Sequence, residues 1–176
     1  LEIYGLCMYR SPADRALYVL VNSKTGAVEQ WRLSENSGRL GGSLARSFGV
    51  GSQTEGFVAD DQSARLYIGE ERVGVWRYGA EPGDGDTRAQ VDRTGALGHL
   101  ASNVEGLALA DGYLLVSSQG NSTFAIYRRD GDNAYVGGFR LVAGNGADEV
   151  SDTDGIEALA ANLGPRFPGG LFVAQD

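Results

Sequence analysis

Four short steps recur along the chain at nearly constant spacing, and their period limits what the chain can fold into. Three join an acidic residue, a glycine and an apolar residue: Glu55-Gly56-Phe57, Glu105-Gly106-Leu107 and Asp154-Gly155-Ile156. The earliest, Tyr4-Gly5-Leu6, carries a tyrosine in place of the acid. Their first residues stand at 4, 55, 105 and 154, so successive intervals are 51, 50 and 49 residues. A period of this length marks supersecondary units that stack on one another, because one unit cannot bury its apolar face alone. If equivalent positions face a common axis, three carboxylates and a phenol meet in one place.

Each unit repeats further signals in the same order. An apolar run follows the glycine step: Leu17-Tyr18-Val19, Leu66-Tyr67-Ile68, Leu114-Leu115-Val116 and Leu171-Phe172-Val173. An aromatic-Arg pair comes next in three units: Trp31-Arg32, Trp76-Arg77 and Tyr127-Arg128. Runs rich in Val, Tyr, Phe and Trp read as strands, and the intervening Gly, Asp, Asn and Ser as turns. Asp60-Asp61-Gln62-Ser63 and Arg129-Asp130-Gly131-Asp132 have that turn chemistry. Helical periodicity is weak, its best stretch being Ile156 to Leu163, shortly before Pro165.

The expected fold is therefore all-β, with each unit a propeller blade of three or four short antiparallel strands. Propellers close with about four to eight blades. Three full units and the start of a fourth make residues 1–176 a partial propeller domain, about half of a six-bladed β-propeller. The chain opens at Leu1 and stops at Asp176 just after a strand-like run, so both ends read as cut. The expectation is that this piece alone has little or no activity.

The net charge of -8 argues against a nucleic-acid partner, whose binders carry basic patches. No apolar run approaches the roughly 18 residues needed to span a bilayer, so no membrane segment is expected. Glycine is abundant, at 27 residues of 176, and reads as the residue of frequent tight turns. Cys7 is the only cysteine and excludes an intrachain disulfide; between Leu6 and Met8 it reads as a buried filler. His99 is the only histidine and reads as a loop residue, too few for a zinc site or a catalytic triad.

A second set of oxygen-bearing residues appears five positions after the first Leu of each apolar run: Asn22, Glu71, Gln119 and Asp176. Thr54 and Thr153 precede their glycines by two and Asn103 precedes Gly106 by three, and all three are also polar. Two readings stand side by side, a second ring of ligands and ordinary polar exits from strands. The chemistry of the first ring is better defined. Two carboxylates about 4 Å apart repel by roughly 4 kcal/mol at an effective dielectric near 20, so a crowded set must protonate, pair with cationic side chains or bind cations. Oxygen-only donors favour hard cations, and Ca²⁺ accepts roughly six to eight oxygens in tolerant geometry.

The acidic stretch Asp148 to Gly155 lacks the glycine and glutamate spacing of an EF-hand; it reads either as an irregular Ca²⁺ loop or as a solvated turn. Asp84, Asp86 and Asp92 read as solvated. Ser23-Lys24-Thr25 lacks the glycines of a Walker loop. Cys7 has Ala13 rather than Arg six residues on, which removes the thiol-phosphatase loop, and the single histidine removes phosphohistidine chemistry.

Taken together, Tyr4-Gly5, Ser52-Gln53-Thr54-Glu55-Gly56, Glu70-Glu71, Val104-Glu105-Gly106-Leu107 and Ser117-Ser118-Gln119-Gly120-Asn121-Ser122 resemble the β-propeller phytases of bacteria. So do Ser151-Asp152-Thr153-Asp154-Gly155-Ile156 and Leu171-Phe172-Val173-Ala174-Gln175-Asp176, and the likeness runs over nearly the whole chain. The resemblance implies a six-bladed propeller that hydrolyses phytate, as its calcium complex, through attack of a water activated by several Ca²⁺ ions, with no phosphoenzyme. It implies Glu55, Glu71, Glu105 and Asp154 as ligands of the catalytic ions, with Asn103 and Gln119 beside them. Tyr4 and Lys24 would contact phosphate, and Asp148 and Asp176 would belong to a second, structural calcium region.

On its own, Lys24 reads as a solvated turn lysine, and Tyr4 as a core aromatic were it not in register with three acids. Asn103 departs from the family's more usual Asp, which keeps an oxygen donor and removes its charge. The Asp-Asp-Pro segment and basic phosphate ligands of the family's first blades would precede Leu1. A secreted or periplasmic home and a monomeric full-length form are implied by the family as well. The competing expectations are a lactonase-type calcium propeller and a non-catalytic propeller scaffold held by calcium.

Overall fold

The computed structural model describes all residues from Leu1 to Asp176 as a series of antiparallel meanders. The first sheet comprises β1 (Gly5–Arg10), β2 (Leu17–Asn22), β3 (Ala27–Asn36) and β4 (Arg39–Gly49), hydrogen-bonded in that order. The second comprises β5 (Thr54–Asp60), β6 (Arg65–Glu70), β7 (Gly74–Gly79) and β8 (Arg88–Arg93). The third comprises β9 (Val104–Ala110), β10 (Tyr113–Ser118), β11 (Thr123–Arg128) and β12 (Tyr135–Phe139), and β13 (Ile156–Leu159) pairs with β14 (Leu171–Ala174). Every apolar run and aromatic-Arg pair of the repeat falls on a strand, the runs on second strands and the pairs on third strands where these exist. Ile156 to Leu159 is extended rather than helical, because its backbone pairs with Leu171 to Ala174.

The sheets pack face to face, so the core lies between blades. Tyr9, Leu20 and Val28 of the first sheet meet Phe57, Leu66 and Ile68 of the second. Tyr67 and Val75 of the second meet Val104, Leu107 and Leu114 of the third, and Ala158 meets Ala108 and Leu115. Fully burying such a side chain contributes about 1.5–3 kcal/mol, which a single meander could not collect alone.

Polar bonds add direction to this stacking. Tyr9 and Ser11 donate their hydroxyls to Glu81 Oε1 at 2.7 and 2.8 Å, tying the first sheet to the second. The Asp60 carboxylate pairs with Arg129 of the third sheet. Burial alone would raise its pKa, yet Arg129 and the Ser63 hydroxyl hold Asp60 well below the usual carboxylate range.

The first strands β1, β5, β9 and β13 lie next to one another and line the axis. Here the repeat glycines find their reason, which is close approach rather than turn geometry. A Cβ on Gly5 would stand 2.7 Å from the Glu55 carbonyl oxygen, and one on Gly56 would stand 2.2 Å from that of Glu105. A Cβ on Gly106 would lie 2.8 Å from the Asp154 carbonyl oxygen, whose partner is the Gly106 N–H itself at 2.7 Å. Each glycine thus seats the backbone of the next acid. Gly56→Ala would press on backbone that cannot swing aside and is expected to destabilise the fold by about 3 kcal/mol, the upper range for overpacking. A chemical denaturation midpoint equal to wild type would contradict this.

Two expectations change. Cys7 is half-buried rather than fully buried: it packs against the core between the first two sheets and also lines the axial cleft. Asp92 is not a solvated turn acid: it accepts from the Tyr127 hydroxyl at 2.7 Å and contacts His99 Nδ1 at 2.9 Å, linking the second sheet to the third. His99 lies in a loop, as its solitary occurrence suggested, and stacks on Tyr135 with ring centroids 3.7 Å apart.

Candidate metal centre

The carboxylates are aimed at the axis by a repeated irregularity. In the second sheet Thr54 pairs with Glu70 and Phe57 with Ile68, so Glu55 and Gly56 together oppose the single residue Gly69. In the third, Val104 pairs with Ser118 and Leu107 with Val116, so Glu105 and Gly106 oppose Ser117. These are β-bulges, which bend a strand and redirect a side chain. The Tyr-headed step has none: Gly5 pairs with Asn22 and Leu6 with Val21 in regular register. At Glu55 and Glu105 acid and bulge therefore occur together, and an unaltered alternation would send the acid elsewhere, whereas Asp154 stands just before β13, whose pairing is regular.

Ligand oxygens of Glu55, Glu105 and Asp154 all lie within 4.8 Å of one another. Residues fifty positions apart have converged as the repeat predicted. Glu105 is the most enclosed, at 4 % relative exposure. Burial pushes its pKa up to about 9, and the Glu55 carboxylate and the charges of Glu71 and Asp154 push the same way. Glu71 also titrates above its ordinary range, first through burial, with the Gln53 side chain opposing and Glu55 reinforcing the rise. Tyr4 is raised to about 12 by burial and by the neighbouring carboxylates, Glu55 first. Lys24 stands over the Tyr4 ring, its Nζ 4.4 Å from the centroid, so both residues expected to contact phosphate share one corner of the site.

Two carboxylate oxygens here, Glu71 Oε1 and Glu105 Oε2, are buried and have no hydrogen-bond partner. An unpartnered buried acceptor costs about 1–3 kcal/mol, more when charged. A divalent cation with oxygen ligands would supply what both atoms lack, and the donor set fits Ca²⁺. Below the ring, an axial cleft of about 550 Å³ runs between the first strands, lined by Leu6, Cys7, Phe57, Leu107 and Ile156 among others.

The remaining expected ligands take different places. Gln119 Nε2 donates to Asp154 Oδ1 at 2.6 Å and to the Asp152 carbonyl at 3.3 Å. Its Oε1 accepts from Asn103 Nδ2 at 3.1 Å, so the two amides form a relay that ends on the ring. Asn103 itself holds a left-handed backbone, φ 65°. Asn22 turns its amide to the Glu55 carbonyl at 2.8 Å. Asp176 Oδ1 accepts the Ser151 N–H at 2.9 Å and so braces the acidic loop, while Asp148 is exposed and outside the ring. Of the polar exits, then, only Glu71 brings an unpartnered charge to the ring. Gln175, which sequence reasoning did not single out, accepts the Asp154 N–H at 3.1 Å; its position beside Asp176 in the repeat was the available signal.

The family profile described as Phytase matches residues 1–176. A "3-phytase" of Bacillus subtilis (strain 168) is 45% identical over 182 residues, covering 99% of this chain and 47% of that protein. The chain thus spans about half the length of this curated relative. Among solved structures, the RRP9 WD40 repeats align with a TM-score of 0.59 at 19% identity, over 90% of this chain and 42% of theirs. The WD40 domain of SCAP from fission yeast aligns with a TM-score of 0.57 at 11% identity, over 87% of this chain and 36% of that one. At such identities the likeness is one of fold, that of a propeller fragment.

Proposed function

The chain belongs to the phytase family, and on that footing we propose that the protein containing it is a calcium-dependent phosphomonoesterase that releases phosphate from phytate. The carrying observation is the convergence of Glu55, Glu105 and Asp154 within 4.8 Å, beside buried carboxylate oxygens that lack partners. The name of the B. subtilis relative supports the substrate class.

In this reading Glu55, Glu71, Glu105 and Asp154 hold the calcium, with Asn103 offering a neutral oxygen. When bound, Ca²⁺ supplies positive charge to attract and bridge phosphates and lowers the pKa of water. The chain's own residues set the stage for this. Without cations the ring would repel a polyphosphate, as would a chain of charge -8. Lys24, held over the Tyr4 ring, places a point charge where a phosphate would meet the carboxylates. Tyr4 keeps its proton at neutral pH, so its hydroxyl can donate to a phosphate oxygen. The Asn103–Gln119 relay fixes Asp154 Oδ1, and the repeat glycines fix the backbone from which the acids project. Phosphoryl transfer to water depends mainly on such positioning and charge neutralisation, with no nucleophilic side chain required.

The test is phosphate release from calcium phytate by the intact protein, run beside hydrolysis of a lactone. The expected result is phosphate release and no lactone opening. Lactone opening alone would favour a lactonase-type propeller. A protein that melts higher with calcium and turns over neither compound would favour a scaffold. Either would contradict the proposal.

A further inference from the structure

We propose that Glu70, Ser118 and Gln175 form a set of positioning brackets, one for each acid-bearing blade, that fix the chain segments from which the ring carboxylates project. The inference rests on the reading of the ring given above and extends it to residues that do not touch the ring's centre.

All three occupy one place in the repeat, four residues after the first Leu of the second strand: Leu66 to Glu70, Leu114 to Ser118 and Leu171 to Gln175. In each, a side-chain oxygen accepts a backbone N–H from the segment entering the acid. Glu70 Oε1 accepts Ser52 N–H at 2.9 Å, Ser118 Oγ accepts Ala101 N–H at 2.8 Å, and Gln175 Oε1 accepts Asp154 N–H at 3.1 Å. The Tyr-headed blade is the exception that sorts the cases. There Val21 holds the equivalent place, and that blade brings no acid to the ring and pairs β1 with β2 in regular register. A role confined to packing would not follow the acid in this way.

Glu70 is the most demanding of the three. It is 4 % exposed, and a buried carboxylate is costly unless fully paired. Its Oε1 also accepts the Ser52 hydroxyl at 2.6 Å, its Oε2 accepts Trp76 Nε1–H at 2.7 Å, and Arg88 lies 3.9 Å away. Donors thus approach from both ends. A carboxylate can accept on both oxygens, whereas an amide must turn its NH₂ toward one of them. Gly51, φ 139°, lets the segment pass, since a Cβ there would stand 3.0 Å from Glu70 Oε1. Three residues beyond Ser52 stands Glu55, and directly after Glu70 stands Glu71, so one pinned segment sets the spacing of two ring carboxylates.

The test is calcium titration calorimetry on the intact protein, with the thermal midpoint of the metal-free form measured in parallel. E70Q is expected to weaken calcium binding about tenfold, the lower range for loss of an outer-shell partner, with a much smaller effect on the metal-free midpoint. Adding W76F removes the donor that an amide at 70 cannot satisfy, and E70Q/W76F should recover most of the lost affinity. Wild-type calcium affinity in E70Q, or no recovery in the double variant, would overturn the bracket. A wild-type protein that takes up no calcium would overturn the ring and the bracket with it. Should E70Q not fold, S118A removes one neutral hydrogen bond at the equivalent place and is expected to weaken calcium several-fold; unaltered affinity there would equally overturn the proposal.

Discussion

Glu105→Gln is expected to lower phosphate release by at least about a hundredfold while leaving the metal-free thermal midpoint nearly unchanged at neutral pH. The two halves of this result have one cause. Glu105 is buried among Glu55, Glu71 and Asp154, which push its pKa up to about 9. In the metal-free protein at pH 7 its carboxyl is therefore already neutral, and an amide of the same shape replaces it at small cost. Calcium binding is a different matter, because a carboxylate must ionise to act as a ligand. The amide keeps one oxygen donor and loses the charge, and even an outer-shell partner of a metal is worth about 10–100-fold. Retained phosphate release in E105Q would remove Glu105 from the site. A large fall of the metal-free midpoint would show its role to be structural.

Calcium removal should abolish phosphate release, and its effect on stability should grow with pH. Glu105 binds its proton more tightly folded than unfolded, so the stability it contributes is complete below about pH 4.5. That contribution is lost progressively as pH rises toward about 9. Glu71, raised in the same direction, adds to the fall. Calcium takes over the proton's role, so chelation should lower the thermal midpoint little at pH 5 and substantially at pH 8. Scanning calorimetry with and without EDTA reads both limbs. A chelator effect independent of pH would place the stabilising ion away from Glu105, and full phosphate release after verified calcium removal would contradict the mechanism.

Much of this was legible in the sequence, for a reason that lies in the architecture. Radial repetition turns spacing along the chain into proximity at the axis, so Glu55, Glu105 and Asp154 declared themselves by position alone. Tyr4 stood in register with the acids, Lys24 and both phosphate-contacting roles came from the family resemblance, and the structure brings the two side chains together. The polar strand exits were harder. Asn22, Glu71, Gln119 and Asp176 share one repeat position, yet three find different partners and Glu71 Oε1 finds none, because the neighbouring blade offers something different at each. Gln119 was expected as a ligand and is placed as a donor to Asp154. The abundance of glycine was read only as a sign of turns, since a one-dimensional pattern does not reveal that at Gly5, Gly56 and Gly106 two backbones nearly touch. Glu70 and Asp92 were overlooked or taken as solvated for a related reason: a buried acid looks like any other until its donors, Ser52 and Trp76 or Tyr127 and His99, are assembled around it.

The most direct measurement is anomalous diffraction from crystals of the intact protein grown with calcium. The account predicts an anomalous peak about 2.3–2.6 Å from carboxylate oxygens of Glu55, Glu105 and Asp154. Those carboxylates bound only to one another through shared protons, with no peak between them at saturating calcium, would contradict it.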